Sequence, residues 1–219
     1  KAAHKRNLKV ITELVINHTS DQHPWFQAAQ ADPHAPEAAF FTFIDHPDEY
    51  LCWMGHKPLA KLNYTSAELH RRMYEAPDAI FRRWLEPPFR ADGWRVDVAN
   101  MTGRQGRSQI GEDVARGIRR AVKETRPDAY VLAESFYEST TQLQGDQWDA
   151  VMNYAGFTSP LKHWLRGYEQ GALNFADTIT SPVPYRTHAL EASWRYRRAA
   201  LPWAVALQQY NLLGSHVTP

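Results

Sequence analysis

Apolar residues along this chain come in short β-branched bursts, separated by stretches whose apolar positions recur at helical spacing. Residues 8–17, LKVITELVIN, are nearly continuous in apolar character, which predicts a parallel strand covered on both faces. Residues 92–98, DGWRVDV, alternate instead. Trp94, Val96 and Val98 fall on one face and Arg95 and Asp97 on the other, so the second face must meet something polar. A third burst, AYVLAESF at 129–136, ends in Glu134, and WDAVMNY at 148–154 is a weaker strand candidate. YNLLGSHVTP at 210–219 reads as a further apolar strand running into polar residues.

Helical patterns lie between these bursts. Thr65 or Ser66 can cap a segment over about 66–86, with Glu68 at capping-box distance and Pro77 marking a break. Over about 109–126, Ile110, Val114, Ile118 and Val122 share one face while Arg116, Arg119, Arg120 and Lys123 lie elsewhere, and Pro127 closes the helix. Further helical segments are predicted at 157–166 and 186–200. Strand, helix, strand, helix predicts an α/β fold with parallel strands.

Residues 18–62 break this rhythm. They carry Pro24, Pro33, Pro36, Pro47 and Pro58 together with Trp25, Phe26, Phe40, Phe41, Phe43, Tyr50 and Trp53, which predicts a small packed excursion rather than a disordered linker. His23, His34, His46 and His56 are irregularly spaced there and read as surface residues, not as a metal cluster. Trp25 and Trp53 fit the edge of a ligand cleft and ordinary packing equally well.

Composition narrows the function classes. With 219 residues, 43% hydrophobic and 22% charged, the chain can build a substantial core. Lys plus Arg number 25 and Asp plus Glu 24, a net charge of +1 that offers no field for a nucleic-acid backbone or an anionic membrane. No run approaches the roughly 20 apolar residues of a membrane helix, and the opening residues lack a signal-peptide cleavage pattern. Cys52 is the only cysteine, which excludes an internal disulfide and a cysteine-held zinc. The expected setting is cytoplasmic. Eight Trp and ten Tyr supply flat amphipathic rings suited to cores and to sugar faces alike.

Four predicted strands end in chemically active residues: Asn17 and His18, Arg95 and Asp97, Glu134, and His216. In a closed parallel barrel, strand C-termini gather at one mouth, where catalytic groups sit. Taken singly, Arg95 with Asp97 also fits a strand-end ion pair, Glu134 a helix-start carboxylate, and each histidine a structural role.

In order, ELVINH, GWRVDVAN, AES and NLLGSHVTP resemble the four short regions of the α-amylase superfamily, family 13 of the glycoside hydrolases. GWRVDVAN and NLLGSH are most similar to its cyclomaltodextrinase, neopullulanase and maltodextrin-glucosidase branches. The resemblance implies a partial (β/α)8 barrel, about strands 3 to 7, over residues 1–17 and 63–219, with a domain-B-like insertion over 18–62. It implies Asp97 as the nucleophile that forms a covalent glycosyl-enzyme, Arg95 as the cation that orients it, and Glu134 as the general acid/base. His18 and His216 match histidines that hydrogen-bond sugar hydroxyls. Asn17 matches a position that binds calcium in many members. The related branches often lack that ion, so no cofactor is expected and calcium is a secondary reading. The implied partner is an α-linked gluco-oligosaccharide.

Three positions depart from the pattern. Val217 stands where the family has a third catalytic aspartate, Glu13 replaces an aspartate, and Met101 stands where related branches often carry an acid. A complete barrel takes about 250 residues, so the chain reads as a piece of a longer polypeptide. The leading expectation is a retaining hydrolase or transglycosidase of α-1,4-glucans; a binding protein that has lost efficient turnover and a plain structural module are the alternatives.

Overall fold

The computed structural model describes residues 1–169 and 183–216, and the chain divides into two compact units, Lys1–Val131 and Leu132–Pro219. The first unit opens with β1 (Ile11–Val15), β2 (His18–Ser20) and α1 (Pro24–Ala31), followed by β3 (Cys52–Trp53) and β4 (His56–Lys61). The later part of this unit contains β5 (Gly93–Asp97) and α2 (Gly111–Thr125). The next strand, β6 (Tyr130–Ala133), carries the chain from the first unit into the second.

In the first unit β1 pairs parallel with β5, in the register Glu13 opposite Arg95 and Val15 opposite Asp97. At its start, β6 joins the other edge of β5 through the Tyr130 N–H, which donates to the Asp92 carbonyl at 2.9 Å. The approach is close enough that a Cβ on Gly93 would lie 2.1 Å from the Tyr130 carbonyl oxygen, so only glycine fits there. The N-terminal ends of β1 and β5 are closed by Asp92, which is buried and accepts from the Val10 N–H at 2.7 Å, His4 Nε2 at 2.7 Å and Arg126 Nη2 at 2.8 Å. Burial pushes the Asp92 carboxyl upward, but these donors outweigh it and hold the group well below the usual carboxylate range.

The α2 helix buries Val114, Ile118 and Val122 of the predicted face, with Ala121 beside them, while Ile110 precedes the helix as its N-cap residue and is half-buried. The capped segment after Ser66 forms as helical turns over Ala67–His70, Arg71–Glu75 and Ile80–Arg83, interrupted around Pro77. Residues 18–62 are packed: β2, β4 and β3 form an antiparallel sheet, and Phe26 and Phe40 are fully buried. Trp25 packs edge-on against Phe40 in this cluster. Two of its histidines are half-buried rather than on the surface. His23 caps α1 by accepting the Trp25 N–H, and His46 bonds the Ala29 carbonyl, so each ring satisfies backbone that the excursion would otherwise strand.

One strand prediction needs correcting. Residues 8–17 are not covered on both faces: Ile11 and Val15 are 40% and 42% exposed, on the face that also carries Glu13. The continuous apolar run suggested two-sided burial, but side chains alternate between faces, and only the face of Thr12 and Leu14 is partly covered while that of Ile11, Glu13 and Val15 is exposed.

In the second unit the end of β6 pairs parallel with β7 (Ala150–Val151), with Leu132 opposite Ala150 and Ala133 opposite Val151. The helices α3 (Ser159–Arg166) and α4 (Thr187–Ala200) follow, as predicted. Phe157, in the turn before α3, stacks on Trp194 of α4 at 5.9 Å between ring centroids. The strand expected at 210–219 does not form over the described residues 210–216; it is reduced to one parallel bridge between Tyr210 and Met152. Side-chain bonds hold the residues beyond it. Thr158 Oγ1 donates to the Leu212 carbonyl at 2.7 Å, Asn153 Nδ2 to Asn211 Oδ1 at 2.7 Å, and the Ser215 and Tyr154 hydroxyls meet at 2.9 Å. Each unit is mixed α/β with parallel strand pairing.

Candidate active site

The alternation of β5 places its side chains as the sequence requires. Trp94 and Val96 enter the core, Trp94 donating its indole N–H to the Phe81 carbonyl, while Arg95 and Asp97 share the other face. There Arg95 Nη1 donates to Asp97 Oδ1 and also to Glu13 Oε1 at 3.0 Å. The Arg95 and Asp97 side chains are 11% and 17% exposed, so this pair is only partly screened by water, whereas Glu13 is 56% exposed. One guanidinium thus fixes a carboxylate at the last residue of β5 and ties it to the neighbouring strand. Directly after Asp97 the backbone turns sharply: Val98 has φ +45°, a conformation that costs a β-branched residue about 1–3 kcal/mol. Thr102 Oγ1 donates to the Val98 carbonyl at 3.1 Å and braces this turn.

His18 begins β2, directly beyond the end of β1. Its ring is buried and stacks on Trp53, with centroids 5.3 Å apart and planes inclined by 23°. Burial lowers the His18 pKa; the nearby Asp97 charge opposes that shift and Lys61 adds to it. Trp53 therefore packs on His18, and Asp97 and His18 feel one another electrostatically.

The sequence reading missed Lys61. Its ammonium is buried, donating to Asn17 Oδ1 at 2.6 Å and to the Met101 carbonyl at 3.1 Å, and burial pulls its pKa down to about 8. Met101 also accepts the Trp53 indole N–H on its sulfur, at 3.4 Å. A lysine flanked by Ala60 and Leu62 at the end of a strand was the available signal, because a strand position between buried apolar residues is costly for a cation without partners.

Asn17 was the calcium candidate, and its surroundings do not suit a divalent cation. The side-chain oxygen it would offer is engaged by a buried ammonium, and a second positive charge a few ångströms away would be repelled strongly in a poorly solvated site. Among the described residues no group of three or more His, Cys, Asp or Glu side chains could hold a metal ion.

In the second unit, Glu134 directly follows β6 and is 2% exposed. Asn153 lies just past β7, where its Oδ1 accepts the Gly156 N–H and its amide reaches Asn211. His216 is exposed, next to the Ser215 that is held by Tyr154. Val217 lies outside the described residues.

Acid, cation and imidazole side chains placed where parallel strands end are the arrangement of α/β catalytic domains. The chain belongs to the α-amylase family: the model of the alpha amylase catalytic domain matches residues 1–179. Among its relatives are a cyclomaltodextrinase of Geobacillus thermopakistaniensis, 29% identical over 226 residues, covering 100% of this chain and 34% of that protein, and neopullulanase 2 of Thermoactinomyces vulgaris, 28% identical over 220 residues, covering 99% of this chain and 33% of that protein. The crystal structure of the Nostoc punctiforme debranching enzyme soaked with acarbose superposes with a TM-score of 0.78 at 29% identity, covering 99% of this chain and 46% of that one. The chain thus spans about a third of the length of these two curated relatives. Among the described residues no helix is long and apolar enough to cross a membrane.

Proposed function

We propose that this chain carries the catalytic carboxylates of a retaining glycoside hydrolase or transglycosidase that acts on α-1,4-linked glucose oligomers. In this reading residues 1–17 and 63–219 form part of a (β/α)8 barrel, about strands 3 to 7, and 18–62 form a domain-B-like insertion. An Asp97 oxygen attacks the anomeric carbon as the glycosidic C–O bond breaks, and Glu134 gives its proton to the departing oxygen. Glu134 then takes a proton from water or a sugar hydroxyl, whose oxygen displaces the Asp97 ester, so two inversions give net retention. That chemistry requires the two carboxyl groups about 5–5.5 Å apart. His18 and His216 bind hydroxyls of the sugar, and Arg95 keeps Asp97 in its attacking orientation. No metal or organic cofactor takes part.

The observation that carries the reading is Asp97 itself: a carboxylate at the C-terminal end of a parallel strand, gripped by Arg95, in a chain of this family. Trapping tests it. Incubating the intact protein with a fluorinated α-glucosyl fluoride should leave a glycosyl adduct on the peptide containing Asp97, seen by mass spectrometry. No adduct under conditions that label an active relative would sink the assignment.

A second reading, a sugar-binding protein with impaired turnover, is favoured by Val217. An aspartate there would grip hydroxyls of the ring as it flattens toward the transition state, and valine cannot. Loss of one such contact costs roughly 3–4 kcal/mol, or about 10²–10³ in rate. Val217→Asp is therefore expected to raise kcat/KM on maltodextrins by that factor. A gain of that size from a rate near background supports the impaired protein, and no gain supports an enzyme adapted to valine.

A further inference from the structure

A buried lysine is an uncommon neighbour for a ligand-binding histidine, and the bonds between them run in one direction only. Lys61 Nζ has donors and no acceptor, so the atom it touches at 2.6 Å must be the oxygen of Asn17. That settles which way the Asn17 amide points, an assignment otherwise ambiguous for an asparagine. The amide nitrogen then faces His18 Nδ1 at 3.2 Å, and an amide nitrogen only donates. Nδ1 must therefore accept, which leaves the proton of a neutral imidazole on Nε2.

We propose that Lys61, acting through Asn17, holds His18 as the neutral Nε2–H tautomer, so that the ring offers one fixed hydrogen-bond donor to an acceptor oxygen of the ligand. Lys61 and Asn17 are positioning residues that act through His18. That the oxygen belongs to a sugar hydroxyl rests on the function proposed above, whereas the tautomer does not.

Three features of the surroundings support the relay. Protonating His18 would place a hydrogen on Nδ1 against the Asn17 N–H and add a second cation beside Lys61, and burial already lowers the ring's pKa. Asp97 pulls the other way, more strongly than Lys61 repels, but burial is the largest influence and the net shift is downward. The stack on Trp53 holds the plane of the ring, so fixing the proton also fixes the direction of the donor. Lys61 is in turn anchored by the Met101 carbonyl, in the turn that follows Asp97, so the relay shares its footing with the segment bearing the proposed nucleophile.

Ring-nitrogen chemical shifts read the tautomer directly. Intact protein labelled with ring-15N histidine, at neutral pH, should show His18 with an unprotonated Nδ1 and a protonated Nε2 in long-range proton–nitrogen correlation; His18→Gln identifies the signal by its loss. Asn17→Asp keeps an acceptor for Lys61 but replaces the amide donor with a carboxylate oxygen, and should move the His18 proton to Nδ1. Lys61→Met frees the amide to turn and should give a mixture of tautomers, while Lys61→Arg should restore the wild-type pattern. A proton on Nδ1 in the wild-type protein overturns the proposal, even if every variant fails to fold. An unchanged tautomer in folded Asn17→Asp and Lys61→Met overturns it as well. None of these readouts needs turnover, so failure of the relay and failure of the glycosidase reading are separately visible.

Discussion

Replacing Asp97 with asparagine is expected to lower kcat/KM on maltodextrins by roughly 10⁴–10⁶-fold, the scale on which removing a covalent nucleophile acts. Asparagine matches the aspartate in shape but cannot form the ester intermediate. The fold should tolerate the change. Arg95 keeps its contact with Glu13 at 3.0 Å, so its charge is not left buried without a partner, the situation that makes single-sided removal of an ion pair so destabilising. Room for so large a loss remains despite Val217. Enzymatic rate enhancements run from about 10⁶ to 10¹⁷, and the missing aspartate removes only about 10²–10³ of that. Kinetics and thermal melting on the same preparations check the expectation together. A melting temperature close to wild type with activity lost places Asp97 in the chemistry; activity reduced only about tenfold would remove it from the nucleophile's position.

The contrast between Arg95–Asp97 and Lys61 shows how much of this site could be read from the chain. Alternation within GWRVD is local information, and strand geometry turns it directly into a face, so the polar pair facing away from Trp94 and Val96 was legible. The face of α2 was legible for the same reason. What Lys61 does was not, because its partners Asn17 and Met101 lie 44 and 40 residues away along the chain and only tertiary structure brings them to one ammonium. Coverage of β1 was misjudged for a related reason: an apolar run reports what a strand could bury, while its neighbours decide what it does bury. At 210–216, the Tyr210 backbone bonds Val151 and Asn153, but the Leu212 carbonyl accepts from Thr158 Oγ1 rather than from a neighbouring strand, a partner that periodicity does not report.

Changing Glu134 to glutamine should separate the two chemical steps. Glutamine preserves the size of a side chain that is 2% exposed but can neither give a proton to a leaving oxygen nor take one from water. Loss of general acid/base help is worth about 10²–10⁴ in rate, and on maltodextrin, whose sugar alkoxide is a poor leaving group, the loss should approach the upper end. An α-glucosyl fluoride needs little protonation to depart. With that substrate the first step should survive, a glycosyl-enzyme should accumulate, and mass spectrometry should find it on Asp97. Azide, a nucleophile that needs no general base, should then restore turnover and yield the α-glucosyl azide, the retained configuration. Asp97→Asn under the same conditions can give only the inverted β-azide, since no ester precedes the attack. If Glu134→Gln lowers the rates on fluoride and maltodextrin equally and azide rescues neither, Glu134 supports the fold rather than the proton transfer, and the acid must be sought at another carboxyl group.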